Sequence, residues 1–117
     1  MQRFMMKSKL HGATVTHANL AYRGSLALDR NLMEMADLLP DEKVQVVNMN
    51  NGERFETYIL EAEAGSGTVG ANGGAARLCE PGDGLLVISY CILDDDEARA
   101  HRPRVVLLGP DNEPTDS

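Results

Sequence analysis

The chain has 117 residues, of which 43% are apolar and 25% charged, a size and composition typical of one compact domain with its own core. Its formal net charge of −7 repels phosphate backbones and anionic lipid, which argues against nucleic acid and membrane surfaces as partners. No apolar run approaches the ~20 residues of a membrane span, and the N-terminal residues lack the apolar stretch of a secretory signal, so we expect a cytoplasmic protein.

Short runs of β-branched and aromatic residues, bounded by Gly, Asn and Asp, predict a mainly β fold. In chain order, the predicted elements are strands 2–8 and 12–17, a helix at about 30–38, and strands 43–49, 54–62, 84–92 and 103–108. Asp29 is the expected N-cap of the helix, which should stop at Pro40. Asn51-Gly52 predicts a hairpin with a type I′ turn. This set of elements suggests a small β-barrel or a compact α+β fold.

The end of the chain is acidic, since residues 94–117 hold seven acids and three arginines. The run DDDEARA at 94–100 could form a short helix with carboxylates at its positive end. The last stretch, GPDNEPTDS, has no large apolar residue, so it cannot offset the entropy lost on ordering. We therefore expect a disordered acidic tail over about 110–117.

Three common kinds of site find little support in the sequence. The potential ligands His11, His17, Cys79 and Cys91 form no metal-binding motif, and Cys91 lies in the apolar run LLVISYCIL, which favours a buried thiol. We therefore expect no metal. No G-x-S-x-G elbow of a serine hydrolase occurs. The glycine-rich stretch at 65–74 lacks the GK[ST] ending of a phosphate-binding loop, so a turn-rich loop is the favoured interpretation.

Three separated blocks point to a more specific chemistry. They are KLHGATVTHANLAYRGS at 9–25, NGERFETY at 51–58 and ANGGAARL at 71–78. Together they resemble the bacterial aspartate 1-decarboxylases, over about residues 1–108. The resemblance implies a single domain over 1–117 folded as a small six-stranded double-psi β-barrel with short helices. It also implies a homotetramer with active sites between subunits.

The same resemblance implies a lyase that converts L-aspartate to β-alanine and CO2 for pantothenate and coenzyme A synthesis. Ser25 would attack the carbonyl of Gly24 in an autocatalytic cleavage of the zymogen, leaving chains 1–24 and 25–117. The second chain would begin with a pyruvoyl group, which forms a Schiff base with the substrate amine and takes up electrons as CO2 leaves. That group does the work of pyridoxal phosphate in other enzymes, so neither this cofactor nor a metal is expected.

Further roles follow from the resemblance, residue by residue. Tyr58 would be the proton donor after decarboxylation, and Thr57 would assist Ser25 processing and contact substrate. The substrate has two carboxylates, which Arg54 would bind through its planar fork and Lys9 as a point charge. Period-two alternation places Tyr58 and Thr57 on opposite faces of one strand. Either a bulge occurs there, or the two residues serve different steps or neighbouring subunits.

The glycine-rich block supplies the remaining predicted contacts. Asn72 and the backbone of 73–75 (Gly73, Gly74 and Ala75) would contact substrate and shape the oxyanion environment of the self-cleavage. His11 and Tyr22 would line or support the site, although both could equally be structural. The block reads NGGAA where the family pattern is NGAAA, and the extra glycine should loosen the substrate contact.

Two alternatives are kept beside this interpretation. One is a processing-dead barrel that only binds small molecules or partners, against which the presence of Ser25, Lys9, Arg54, Thr57 and Tyr58 argues. The other is a pyruvoyl decarboxylase of another acidic amino acid, such as glutamate. The sequence also leaves open whether cleavage needs a maturation helper protein.

Overall fold

Strands dominate the chain over residues 1–115, the part that this computed structural model describes. In that part the strands are β1 Gln2–Thr14, β2 His17–Asn19, β3 Leu26–Asp29, β4 Lys43–Asn48, β5 Arg54–Ala62, β6 Val69–Asn72, β7 Gly84–Asp94, β8 Arg104–Leu108 and β9 Pro114–Thr115. The helices are α1 Arg30–Met35 and α2 Asp95–Ala100, with 3₁₀ turns at Gly73–Arg77 and Pro110–Asn112. The mainly β class is therefore confirmed, and so is the short helix expected within 94–100.

All of these strands belong to one sheet, in the order β2-β6-β3-β5-β4-β7-β1-β8-β9. The long antiparallel pair of β1 and β7 runs from Gln2↔Asp94 to Thr14↔Gly84. Strand β3 lies between β5, to which it is parallel, and β6, to which it is antiparallel. Within residues 1–115 no pairing joins β2 to β9, so a six-stranded double-psi barrel stays a prediction.

The strand predicted at 2–8 and the first part of the strand predicted at 12–17 form the single strand β1, which ends at Thr14, whereas His17 begins β2. Its register against β7 shifts between Met6 and Ser8 and again between His11 and Ala13, and such bulges bend a long strand. Strands β3 and β6 were not predicted. Each has four residues, LALD and VGAN, which is too short and too poor in β-branched residues for a local strand signal.

Helix α1 begins where the sequence predicts. The Asp29 carboxylate accepts a hydrogen bond from the Asn31 N–H at 2.8 Å and so caps the first turn. The helix ends at Met35 rather than near residue 38, and Asp37 then adopts a φ of +55°. The Asp37 N–H bonds back to the Glu34 carbonyl at 3.2 Å and the Leu38 N–H to the Met33 carbonyl at 2.8 Å, which is how a left-handed residue closes the end of a helix.

The predicted hairpin of β4 and β5 is confirmed, but its turn type is wrong. The Gly52 N–H bonds to the Asn48 carbonyl, and the Asn48 N–H bonds to the Glu53 carbonyl. The connection therefore has four residues, 49–52, of which only Gly52 has a positive φ, +78°. A type I′ turn needs positive φ at both central residues, and Asn51 does not supply it.

The end of the described chain is more ordered than predicted. Strand β9 pairs with β8 through Leu107↔Thr115. The Asn112 side chain is 5% exposed, and its Nδ2 donates to the carbonyls of Thr14 and Gly67 at 3.0 and 2.9 Å. Disorder is therefore wrong for 110–115, because one polar side chain ties this segment to two others. Residues 116–117 of that prediction lie outside the described part.

The core fills the inner face of the sheet and the contact with α1. Its largest fully buried side chains are Leu10, Leu26, Leu28, Leu32, Met33, Ile59, Leu85, Val15, Val44, Val46, Val69 and Val87. Two residues of the short strand β3, Leu26 and Leu28, belong to this set, so β3 is held by packing along its length. No helix in the described part of the chain is long and apolar enough to cross a bilayer.

Candidate active site

Ser25 precedes β3 in a backbone conformation that residues with a side chain rarely adopt. Its φ is +101°, and the residue is 1% exposed. Such a conformation costs about 1–3 kcal/mol in a residue other than glycine, so the surrounding structure has to hold it. The strain therefore lies at the Gly24–Ser25 peptide, the predicted point of cleavage.

Asn72, the last residue of β6, holds Ser25 from the neighbouring strand. The Asn72 N–H donates to the Ser25 carbonyl at 3.0 Å. The Asn72 Nδ2 also approaches the Ser25 Oγ at 3.4 Å, and the Asn72 side chain is buried. The first bond fixes the backbone of Ser25, whereas the longer second one orients the hydroxyl only weakly.

Gly73 follows Asn72 and packs directly against Gly24, at the predicted cleavage point. A Cβ placed on Gly73 would lie 2.8 Å from both N and Cα of Gly24 and 3.0 Å from the Tyr22 carbonyl oxygen. Its φ is +59°, so both space and conformation call for glycine there. A Cβ on Gly74 would meet nothing within 4 Å, and the second glycine of NGGAA has no steric requirement.

A cavity of about 310 Å³ opens beside Ser25. It is lined by Gly24, Ser25, Phe55, Glu56, Thr57, Tyr58, Gly74, Ala75 and Leu78. Strand β4 pairs with β5 over residues 54–58, whereas β3 pairs with β5 only from Ile59 onward. The stretch 55–58 therefore has a strand partner on one side, and the cavity occupies the space on the other side, where β3 has not yet begun.

Thr57 and Tyr58 both line this cavity although they belong to opposite faces of β5. The register between β4 and β5 is continuous from Lys43↔Tyr58 to Val47↔Arg54, without a bulge. The cavity borders the edge of the strand, and side chains from both faces can reach an edge. This arrangement was not among the alternatives drawn from the sequence.

The same edge of β5 presents backbone donors to the cavity. The Ile59 N–H bonds to the Glu42 carbonyl and the Ile59 carbonyl accepts from the Asp41 N–H, both on the β4 side. Successive residues of a strand direct their N–H groups to opposite sides. The N–H groups of Glu56 and Tyr58 therefore point away from β4, where they can bind an oxygen with developing negative charge.

The two predicted substrate cations do not line the cavity. Lys9 lies on β1, paired with β7 and β8 and three places from β5 in the sheet. Arg54 is exposed at the start of β5, next to the lining residue Phe55. Over residues 1–115 neither cation has an ion-pair partner. The cavity of one chain thus brings no cation of its own to a carboxylate.

The two supporting residues also lie outside the cavity. His11 is on β1, opposite Leu86 of β7. Tyr22 is 56% exposed and lines a separate cavity of about 280 Å³ that also contains Asn72. Tyr22 thus reaches the surroundings of Ser25 through Asn72 and through its own carbonyl beside Gly73, and His11 has no such link.

Sequence reasoning missed three residues that line the cavity: Phe55, Glu56 and Leu78. Each lies inside one of the blocks NGERFETY and ANGGAARL, and membership of those blocks is the signal that could have found them. Glu56 forms an exposed ion pair with Lys43 at 3.2 Å. That pair partly offsets the negative charge which Glu56 would otherwise bring to the rim.

The His, Cys, Asp and Glu residues of the described chain form no second candidate site, either for a metal or for a reactive thiol. No cluster of three or more His, Cys, Asp or Glu side chains in the described residues could hold a metal ion. Cys79 is buried, whereas Cys91, predicted to be buried, is only half-buried. Burial, with a smaller contribution from the charge of Asp83, raises the pKa of the Cys79 thiol to about 11. Cys79 is therefore a neutral packing residue at physiological pH.

Comparisons with known proteins all point to one family. A family model described as aspartate decarboxylase matches residues 1–115. The chain is 60% identical over 114 residues to the aspartate 1-decarboxylase of Thermoanaerobacter pseudethanolicus, covering 97% of each chain. It is 59% identical over 104 residues to that of Pelotomaculum thermopropionicum, covering 89% of this chain and 79% of the relative. It is 57% identical over 115 residues to that of Moorella thermoacetica, covering 98% and 90%.

Proposed function

Because the chain belongs to the aspartate decarboxylase family, we propose that it is a self-processing, pyruvoyl-dependent enzyme that converts L-aspartate to β-alanine and CO2. The resemblance of the three sequence blocks to this family is confirmed by these matches. The observation that carries the processing step is a buried serine with a φ of +101°, directly after a glycine and beside a cavity.

The first step of processing is an acyl shift. The Ser25 Oγ attacks the Gly24 carbonyl carbon, the C–N bond breaks, and an ester replaces the peptide. The α-proton of residue 25 is then lost as the Cβ–Oγ bond breaks, which releases chain 1–24 with its carboxylate. Water adds to the resulting dehydroalanine and ammonia leaves, so that chain 25–117 begins with a pyruvoyl group.

Three features of the structure support this step. A Cβ on Gly24 would meet nothing within 4 Å, so the space on the Cβ side of Gly24 is open, and a glycine has no side chain of its own to shield its carbonyl. Breaking the Gly24–Ser25 peptide releases the strained backbone of Ser25, which favours the forward reaction. Thr57 and the edge of β5, whose Glu56 and Tyr58 N–H groups point away from β4, line the same cavity, where an oxyanion at Gly24 would need donors.

The surroundings of Ser25 also fit a pyruvoyl group. Once formed, that group supplies a ketone that condenses with the substrate amine and accepts electrons as CO2 leaves. The Tyr58 side chain is 40% exposed and the residue lines the cavity, and a phenol hydroxyl can return a proton to the substrate carbon. Gly74 and Ala75 line the same cavity and would limit the room around the substrate.

L-Aspartate carries two carboxylates, and the lining of one chain holds no cation. We therefore propose a cytoplasmic homotetramer of six-stranded double-psi barrels, in which the sites lie between subunits and Lys9 and Arg54 bind the carboxylates. The exposure of Arg54 and the absence of an ion-pair partner for either cation within residues 1–115 support this role. His11 and Tyr22 would support the site from their own strands.

Intact mass of the fully matured, denatured protein tests the proposal, combined with CO2 release from L-aspartate. We expect fragments of residues 1–24 and 25–117, with the larger lighter by one ammonia than a chain that starts with serine. Glutamate is the matched substrate, and the ratio of the two kcat/KM values measures specificity. A single uncut chain that is inert toward aspartate would contradict the proposal and favour a processing-dead binding module. Maturation of purified precursor without additions would show that no helper protein is needed.

A further inference from the structure

Asn48 is the last residue of β4, lies far from Ser25 in the sequence, and is fully buried. All of its side-chain polar atoms are used. The Nδ2 donates to the Leu78 carbonyl at 2.9 Å and to the Asp83 carboxylate at 2.8 Å. The Oδ1 accepts from the Asn50 N–H at 2.9 Å. A buried amide with this many partners ties the β4–β5 hairpin to the segment 78–83.

The Leu78 carbonyl receives a second donor from the same hairpin. The Asn51 Nδ2 reaches it at 3.1 Å, so two side-chain amides bind one carbonyl oxygen. Leu78 is the C-cap of the 3₁₀ turn at Gly73–Arg77, and its own N–H bonds to the Ala75 carbonyl. Carbonyls at the end of a helix lack partners within the helix, and these two amides supply them.

The clamped turn is also a wall of the candidate site. Gly74, Ala75 and Leu78 line the cavity beside Ser25. At the other end of the turn, Gly73 packs on Gly24 and Asn72 bonds to Ser25. Segment 72–78 is therefore held at one end by the cleavage residue and at the other by Asn48 and Asn51.

Asp83 holds Asn48 in place from the far side. Its Oδ2 also accepts from the Glu80 N–H at 3.0 Å. The hydrogen bond from Asn48 and the one from the Glu80 N–H lower the pKa of the Asp83 carboxyl, so it is an anion at neutral pH and a strong acceptor. The amide of Asn48 cannot rotate without losing this bond.

We propose that Asn48, oriented by Asp83, is a positioning residue for the self-cleavage: it fixes the Leu78 carbonyl and thereby the approach of segment 72–78 to Gly24–Ser25. The inference rests on the proposed function. Attack of the Ser25 hydroxyl on the Gly24 carbonyl requires a near-attack geometry, and a displacement of about 1 Å can slow such a reaction about 100-fold. Asn48 touches none of the reacting atoms, so its effect is exerted through the turn.

The experiment compares Asn48→Ala with Asn112→Ala in freshly purified precursor, at a temperature well below both melting points. Asn112 is a matched control, because it is also a buried asparagine that donates to two backbone carbonyls, but those belong to Thr14 and Gly67. Asn48→Ala should slow self-cleavage at least about tenfold, and Asn112→Ala should leave it within about twofold. Equal slowing by both variants, or a normal rate in Asn48→Ala, would overturn the proposal.

A swap separates the bond to Leu78 from the bond to Asp83. Asn48→Asp places two carboxylates together, and adding Asp83→Asn restores a hydrogen bond between positions 48 and 83 without restoring the donor to Leu78. The double variant should regain thermal stability over Asn48→Asp while its cleavage stays slow. Recovery of cleavage together with stability would assign the effect to general stability and contradict positioning.

Two further measurements test the role of the Leu78 hydrogen bonds even if Asn48→Ala does not fold or the chain does not cleave. If Asn48→Ala does not fold, Asn51→Ala removes the second, exposed donor to Leu78 and should slow cleavage about two- to fivefold, whereas a normal rate would count against the clamp. Hydrogen exchange over 72–78 should rise in Asn48→Ala and not in Asn112→Ala, and this readout needs no reaction. A wild type that never cleaves would therefore contradict the proposed function, and unchanged exchange would contradict the clamp.

Discussion

The two ends of the four-residue strand β3 are held in opposite ways. At its start, Ser25 has a φ of +101° and its hydroxyl has one long contact, 3.4 Å from Asn72. At its end, the Asp29 carboxylate accepts three backbone N–H bonds, from Asn31 at 2.8 Å, Gly65 at 3.0 Å and Gly67 at 2.8 Å. The hydrogen bonds to Asp29 and the packing of Leu26 and Leu28 hold β3 in place, and this allows the strained backbone conformation of Ser25 to persist.

The pKa of Asp29 shows how strongly the end of β3 is held. Burial alone would raise it, but the hydrogen bonds from the N–H groups of Gly67, Asn31 and Gly65 outweigh burial and lower the pKa of this carboxyl. These three N–H groups thus stabilise the charged form of the Asp29 carboxylate. Within residues 1–115, the Ser25 hydroxyl has only the long contact with Asn72, so it stays available for chemistry.

The largest expected effect is at the strained end. Ser25→Ala removes the nucleophile, so self-cleavage and CO2 release should both fall below detection. Alanine keeps the Cβ and hence the backbone strain, so the melting temperature should change by only about 2 °C. Intact mass and thermal unfolding measure the two quantities. Ser66→Ala, in an exposed loop, is the control that should cleave normally, and cleavage of Ser25→Ala would show that another residue is the nucleophile.

At the anchored end the expected loss is in stability. Asp29→Ala removes the cap of α1 and leaves two further N–H groups without their acceptor, which should lower the free energy of unfolding by about 2–4 kcal/mol. Urea unfolding of the uncleaved Ser25→Ala background gives this value directly. Asp96→Ala, an exposed acid in α2, should cost less than about 0.5 kcal/mol. A similar loss in both variants would mean that the three hydrogen bonds contribute little.

Gly73→Ala tests how closely the turn has to approach the strained end. The new Cβ would meet Gly24 N and Cα at 2.8 Å, and alanine disfavours a φ of +59°. We expect self-cleavage to slow at least about tenfold, equivalent to about 1.4 kcal/mol in the barrier. Time courses of fragment formation measure it, and a wild-type rate in Gly73→Ala would rule out this contact as a determinant of the geometry.

The pH dependence of the free energy of unfolding tests whether the negative charge of Asp29 contributes to stability. The pKa of Asp29 is lowered in the folded state, so its contribution is fully present above the unfolded value of about 4 and is lost as the pH falls through the folded pKa. The amide that replaces this carboxyl in Asp29→Asn cannot titrate. The difference in urea midpoint between wild type and Asp29→Asn should therefore be constant from pH 7 to about 5 and narrow below about 4. A difference independent of pH over the whole range would exclude a role for the charge.

The smallest expected effect is at Gly74. A Cβ there meets nothing within 4 Å, so Gly74→Ala should raise the free energy of unfolding by about 0.4–1 kcal/mol through a lower entropy of the unfolded chain. Its cleavage rate should stay within about twofold of wild type, which also makes it the matched control for Gly73→Ala. Destabilisation in Gly74→Ala would mean that the turn changes conformation when the side chain is added.

Local signals in the sequence predicted the parts of the fold that depend on neighbours in the chain. The cap of α1 by Asp29, the β4–β5 hairpin and the helix α2 are of this kind, and all are present. The short strands β3 and β6 were missed because their pairing partners are distant in the sequence. The order of the segment around Asn112 was missed for the same reason, since its hydrogen bonds reach Thr14 and Gly67.

By itself, the sequence determined the family resemblance, and through it predicted the residues that would carry the chemistry: Gly24-Ser25, the block containing Thr57 and Tyr58, and the glycine-rich turn after Asn72. Only the tertiary structure decided how they meet. Because β3 begins only opposite Ile59, one side of β5 before that residue is unpaired, which creates the cavity and lets both faces of β5 border it. Lys9 lies elsewhere in the sheet. Strand pairing is non-local, and its outcome depends on the burial of all the strands together rather than on any one segment.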